Sequence, residues 1–158
     1  MAEPLAERVM TSIDQAAELY HRLIILAAPA GAGKTAALQD VHARTGAPLI
    51  NVNLELSRRM LDLTERRRVL QLPRLLSEVV STVQTDLILL DNIELLFEVS
   101  LKQDPLRLLQ GLSRNRTCVV AWSGSIDHEH LIYAKPDHPE YKRYPLRDFL
   151  VVCPEAVP

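Results

Sequence analysis

Lys34 and Thr35 stand side by side behind two glycines in the run Ala28-Pro29-Ala30-Gly31-Ala32-Gly33-Lys34-Thr35-Ala36. An ammonium and a hydroxyl at the end of a glycine-spaced loop suit a polyphosphate, provided a strand precedes and a helix follows. Backbone N–H groups of such a loop turn inward and form a concave anion site at the helix N-terminus. The helix adds about half a positive charge there. Lys34 would reach the β- and γ-phosphates of ATP, and the Thr35 hydroxyl would sit on Mg²⁺. The candidate nucleotide-binding residues are Pro29, Ala30, Gly31, Ala32, Gly33, Lys34, Thr35 and Ala36. Ala28 stands where the pattern usually has its first glycine, and alanine serves there if φ stays negative. A second chemical group is Asp91, which ends the apolar run Leu87-Ile88-Leu89-Leu90. A carboxylate at the C-terminal end of a buried strand can hold the water shell of Mg²⁺, so Thr35 and Asp91 are the candidate metal residues.

The elements that must position these groups are legible in the apolar pattern. Leu5, Val9, Ile13, Ala16 and Tyr20 recur at helical spacing, which predicts an amphipathic helix over 3–21. Leu23–Ala27 is the strand that feeds the loop, and the helix after the loop runs to about Arg44, with Gly46 as its stop. Pro48 opens a second strand over 49–53. Residues 57–84 read as helical but interrupted, with Pro73 breaking the run and then suiting the first turn of 74–80. Leu87–Asp91 is the third strand. Asp104 and Pro105 cap a helix over 106–112, and strands four and five follow at 117–122 and 149–153. Near-continuous apolar strands alternating with helices predict a parallel, doubly wound sheet of five strands. Residues 123–147, rich in His, Tyr, Pro and charge, read as one long irregular loop, functional or mobile.

Bulk properties bound the function. The chain has 158 residues, 47% of them hydrophobic, enough for one domain with a real core. A net charge of −2 gives no global basic field for nucleic acid. Cys118 and Cys153, the only two cysteines, lie in apolar runs, which suggests reduced, packed thiols in a cytoplasmic setting. Glu3 and Glu7 in the first turns argue against a signal peptide. No apolar run approaches the ~20 residues of a membrane span.

The order of strand, glycine loop, helix and strand-terminal aspartate resembles the AAA+ and related (ASCE) P-loop ATPases over residues 23–153. That resemblance implies a three-layer αβα nucleotide-binding domain over 23–158, preceded by the helical segment 1–22. The sequence stops soon after strand five, so the small helical lid of AAA+ proteins is not expected. The residue after the aspartate is often a water-polarising glutamate in that family. Here it is Asn92, which can orient water but not take its proton, with Glu94 nearby as a substitute or as a solvated helix-start residue. Ser123 occupies the place of the polar residue that senses the γ-phosphate, although it and Ser125 equally suit a turn beside Gly124. Arg143 and Arg147 match loosely the arginine that reaches a neighbour's site, with Arg114 and Arg116 as other candidates or plain surface residues.

At closer range the chain resembles the BrxF family of small P-loop proteins from bacteriophage-exclusion (BREX) systems. The resemblance rests on residues 23–35, on Asn51-Val52-Asn53-Leu54-Glu55 and on Leu89 through Phe97. The run from Asp104 to Arg116 and His138-Pro139-Glu140-Tyr141 complete it. It implies one subunit of an antiviral defence complex. Its partners would be further copies of itself in a nucleotide-dependent oligomer and a larger ATPase or other BREX subunits, with DNA touched only through the assembly.

Three features are left as structural. His128, His130 and His138 with Asp127 and Asp137 lack further ligands for a metal. Arg58, Arg59, Arg66, Arg67, Arg68 and Arg74 are interleaved with acids and lack aromatics for base stacking. Trp122 reads as core packing, or as the floor of a pocket. The expected function is a Mg²⁺- and ATP-binding assembly switch with slow hydrolysis. A small-molecule or nucleotide kinase and a non-hydrolysing nucleotide scaffold are the alternatives.

Overall fold

A computed structural model describes residues 4–154. The helices are α1 (Leu5–Ala16), α2 (Lys34–Thr45), α3 (Val52–Met60), α4 (Glu65–Ser81) and α5 (Pro105–Leu112). The strands are β1 (Leu23–Ala28), β2 (Leu49–Asn51), β3 (Leu87–Asp91), β4 (Thr117–Asp127), β5 (His130–Tyr133), β6 (Lys142–Pro145) and β7 (Leu150–Val152). Five of them form a parallel sheet in the order β2-β3-β4-β1-β7. Among the described residues no helix is long and apolar enough to cross a membrane.

Each central strand is apolar on both faces because helices cover both. Ile24 and Leu26 of β1, Leu89 of β3 and Val119 of β4 pack with Val9 of α1 and Leu38 and Val41 of α2. The alternate residues Leu23, Ile25, Leu90 and Val120 pack with Leu56 of α3, Leu76 and Val79 of α4 and Leu109 of α5. Every residue of β1 is buried, and each large aliphatic side chain there contributes roughly 1.5–3 kcal/mol.

Four boundaries differ from the sequence expectation, each for a local reason. The first helix ends at Ala16 and leaves Tyr20 exposed, edge-on to His21; Glu3, its expected start, lies outside the described residues. The second strand stops at Asn51 because that side chain accepts the Leu54 N–H at 3.1 Å and caps α3. The helical stretch breaks at 61–64, where the Thr64 hydroxyl caps α4, and runs unbroken through Pro73. Proline leaves the carbonyl four residues back without its N–H. The Gln103 side chain supplies it, donating to the Val69 carbonyl at 2.9 Å.

The largest difference is at 123–147, which is not a loop. β4 continues to Asp127 past the end of the parallel sheet, and β5 and β6 fold back on it as an antiparallel ribbon. Tyr133 stacks on Phe97 with ring centroids 3.5 Å apart, both edge-on to buried Trp122. The Tyr144 hydroxyl donates to Asp104 at 2.8 Å. The Trp122 indole donates to the Ile132 carbonyl at 3.0 Å.

Candidate functional site

The site lies at the C-terminal edge of the parallel sheet, where β1 and β3 release their chains on either side of β4. Ala28, the last residue of β1, has no positive φ, whereas Gly31 and Gly33 sit at +81° and +91°. Those values are open to glycine at no steric cost, so the loop keeps its glycines only where its curve needs them. Gly33 is the N-cap of α2 and has no side chain with which to cap it. The first-turn amides of Lys34, Thr35 and Ala36 therefore have no partner within the helix and lie at the positive end of its dipole. Pro29 through Gly33 are exposed.

Lys34 is only 8% exposed. Its ammonium folds under the loop and donates to the carbonyls of Ala28 and Pro29, 2.8 Å each. Burial pushes its pKa below the ordinary lysine value, and the nearby charges of Glu94 and then Asp91 push it partly back. Thr35 Oγ1 donates to Asp91 Oδ2 at 2.7 Å. Asp91 Oδ1 accepts the Asn92 N–H at 2.9 Å, and the carboxylate is buried. A hydroxyl and a carboxylate at that separation are hard oxygen donors. Mg²⁺ takes one or two such protein groups together with phosphate oxygens and water, so these residues fit it. Among the described residues no group of three or more His, Cys, Asp or Glu could hold a metal by itself.

Glu94 belongs to the site. Its carboxylate accepts from the Ser123 hydroxyl at 3.3 Å and from the Asn53 side-chain amide at 3.4 Å. Asn53 also accepts the Leu95 N–H at 2.8 Å, and its own N–H donates to the Asn92 carbonyl at 2.8 Å. It clamps the turn that carries Glu94. Sequence reading gave Asn53 no role in the site. Its signal was its place two residues after a strand end, where a polar side chain can reach the neighbouring strand's exit.

Asn92 follows the aspartate at the exit of β3. It has φ +54°, the left-handed conformation that asparagine tolerates, and its side chain bonds to none of the described residues. Its type suits that backbone conformation. The structure also keeps Arg143 apart from the cluster: it is exposed on β6, with Nη2 3.3 Å from His130 Nδ1. Arg116 donates to the carbonyls of Val80 and Val83 and so finishes the end of α4. Arg114 lies over the Tyr20 ring. Of the α3–α4 arginines, Arg58 and Arg59 pair with Glu55 and Arg74 with Glu78 along their helices, and Arg68 donates to the Leu63 carbonyl.

The arrangement offers a glycine loop at a helix N-terminus, an ammonium tucked beneath that loop, a hydroxyl and a carboxylate as oxygen donors for a divalent ion, and a second carboxylate, Glu94, near enough to act on the ammonium. No protein-family model and no curated protein matches this chain.

Proposed function

We propose that the chain is a P-loop nucleotide-binding domain of the AAA+-like kind that binds ATP with Mg²⁺ and uses it to switch assembly. The observation that carries this reading is the meeting of Thr35, at the loop's helix, with Asp91, at the end of β3. Loop amides and Lys34 would hold the phosphates, and Thr35 and Asp91 would hold Mg²⁺, which neutralises phosphate charge when bound. Glu94, fixed by Asn53 and Ser123, is the group placed to orient and deprotonate a water. Hydrolysis is slow in the single chain and gains from a residue delivered by a neighbour. Assembly can shift only by the differential affinity of its two states for ATP; a hundredfold preference is worth about 2.7 kcal/mol. The closest functional setting is the BrxF-type subunit of a BREX phage-defence complex, working in the cytoplasm with copies of itself and larger subunits.

A non-hydrolysing nucleotide scaffold is the second reading, favoured by the unengaged side chain of Asn92. The kinase reading loses support because it needs a closing lid, and most of 123–147 is held in strands by Trp122, Tyr133 and Tyr144, which leaves only the 134–141 connection between β5 and β6.

Calorimetric titration of Mg·ATP into the wild type and Lys34→Ala tests the reading, with sedimentation velocity in parallel. Wild-type binding that is lost in the folded variant is expected, with a larger species appearing on addition of Mg·ATP. Normal ATP binding by Lys34→Ala refutes the loop assignment. Binding without a larger species removes the self-assembly part.

A further inference from the structure

On one face of α4, Leu72, Leu75, Leu76, Val79 and Val80 are buried in the core. On the other, at three- and four-residue spacing, stand Arg66, Arg67, Leu70, Pro73 and Arg74, all exposed. Leu70 is 70% exposed, with arginines one turn before and one turn after it. It lines a cleft of about 460 Å³ with Glu65, Arg66, Val69, Ser100 and Lys102. We propose that this cleft and the adjoining face of α4 dock an acidic peptide segment of a partner protein, one that presents an apolar side chain between carboxylates.

The charges around the cleft call for an anion. Arg66, Arg67 and Lys102 form no ion pair among the described residues, in a chain whose net charge is −2. Glu65, the one acid in the lining, lies in the first turn of α4, where the helix dipole favours it. Lys102 stands at φ +53°, closing the single 3-10 turn Val99–Leu101. Glycine suits that region without strain, so a lysine there keeps an ammonium at the cleft against a backbone cost, as strained residues at binding sites do. Lys102 also borders a second cleft with Val99, itself 58% exposed. Leu70 and Val99 thus each share a cleft with the same cation.

The cleft is also built in advance. The Gln103 side-chain amide donates to the carbonyls of Val69 and Leu101 at 2.9 and 2.7 Å and ties α4 to the 3-10 turn. A preformed groove loses little freedom when it is filled. The apolar groups decide between acidic partners. Nucleic acid would answer the cations, but no aromatic ring lines the cleft for a base to stack on. Val69 and Leu70 have nothing to offer a phosphate, whereas they suit the apolar anchor of a peptide. Its carboxylates steer the encounter and the anchor holds it.

The test is selection of short random displayed peptides, run in parallel on the wild-type chain and on Leu70→Asp/Lys102→Glu. Both residues are exposed, so the variant keeps its fold, which unchanged emission from buried Trp122 reports. Peptides with Leu, Ile or Phe flanked by Asp and Glu are expected on the wild type and not on the variant. The most enriched one, labelled with fluorescein, should bind at least about tenfold more weakly to Leu70→Asp. Lys102→Glu should weaken it at low salt and much less at high salt. No enrichment over the double variant, or enriched peptides without acids, overturns the proposal. So does a mixed-sequence single-stranded oligonucleotide that binds more tightly than the peptide and is lost in Arg66→Ala/Arg67→Ala, which makes the face a nucleic-acid site. A larger species in sedimentation of the chain alone that Leu70→Asp removes overturns it too, because a second copy then covers the cleft.

Discussion

Thr35 Oγ1 donates to Asp91 Oδ2 at 2.7 Å, joining the start of α2 to the end of β3 across 56 residues of sequence. Two groups that meet so closely, and that would share Mg²⁺ under the proposed function, should act together. Asp91→Asn keeps an acceptor for the Thr35 hydroxyl and removes the charge, so the fold is retained. The expected result is ATP binding that no longer gains from Mg²⁺, in both Asp91→Asn and Thr35→Val. Titration of ATP with Mg²⁺ and with excess chelator checks this, and an undiminished gain in either variant removes that residue from the metal site.

Lys34 predicts a pH dependence. Its folded pKa lies below the unfolded value of 10.5, chiefly because burial disfavours the ammonium. The charged lysine therefore costs stability at neutral pH, and that cost is relieved as pH rises from the folded pKa towards 10.5. A bound polyphosphate favours the ammonium and raises the pKa again. ATP affinity should then fall in the alkaline range below 10.5, with proton uptake on binding. Calorimetry in buffers of different ionisation enthalpy measures that uptake, which Lys34→Arg, whose guanidinium stays charged throughout this range, should abolish.

Asn53 and Asn92 separate support from chemistry. Asn53→Ala removes the acceptor for the Leu95 N–H and frees Glu94. A lost hydrogen bond of this kind costs about 1 kcal/mol, or roughly 2–4 °C in Tm for a chain of this size. Turnover should fall in Asn53→Ala and in Glu94→Gln. Asn92→Gly relieves a positive φ without touching the site and should leave turnover unchanged. Asn92→Glu adds about 1 kcal/mol of backbone strain and should not raise the rate. A higher rate in Asn92→Glu shows that position 92 faces the water after all.

Gly124 holds the ribbon. Alanine there meets the Ile132 carbonyl and the Trp122 indole at once. Moving either breaks the Trp122 hydrogen bond to Ile132 and opens a buried aromatic cluster. The expected loss is about 2 kcal/mol or more. Trp122 is the single tryptophan, so its emission reports the event directly: a red shift is expected in Gly124→Ala and none in Ser125→Ala.

These two regions show what could be read in the sequence. β1, the glycine loop, α2 and the Asp91 strand follow from local pattern, since apolar runs, glycines and caps each carry their own signal. The ribbon does not. Its β4–β5 turn puts His128 at φ +46° and Glu129 at +62°, where hairpins usually show asparagine or glycine. Tertiary packing of Tyr133 and Tyr144 outweighs poor turn chemistry there. Pro73 misled for a similar reason, because its remedy, Gln103, lies 34 residues from Val69. The site was half legible: Lys34, Thr35 and Asp91 by type and spacing, Asn53 only once β2 and β3 are seen side by side.

Substitution of Arg143 tests whether a second copy completes the site. Arg143 stands exposed on β6, with Nη2 3.3 Å from His130 Nδ1 and no ion pair among the described residues. An exposed arginine whose only side-chain bond among the described residues is to His130 is a candidate to act on a second copy. An arginine supplied in trans is worth about 10³–10⁵ in rate, far more than a distorted water-orienting turn forfeits. Turnover per protomer is therefore expected to climb with protein concentration in the wild type. Arg143→Ala should flatten that climb and leave the ATP affinity of the single chain unchanged, because the residue lies outside the cradle. A climb that survives in Arg143→Ala and disappears in Arg147→Ala moves the role four residues along. A flat, near-zero rate at every concentration favours the scaffold reading, with any catalysis waiting on a different subunit.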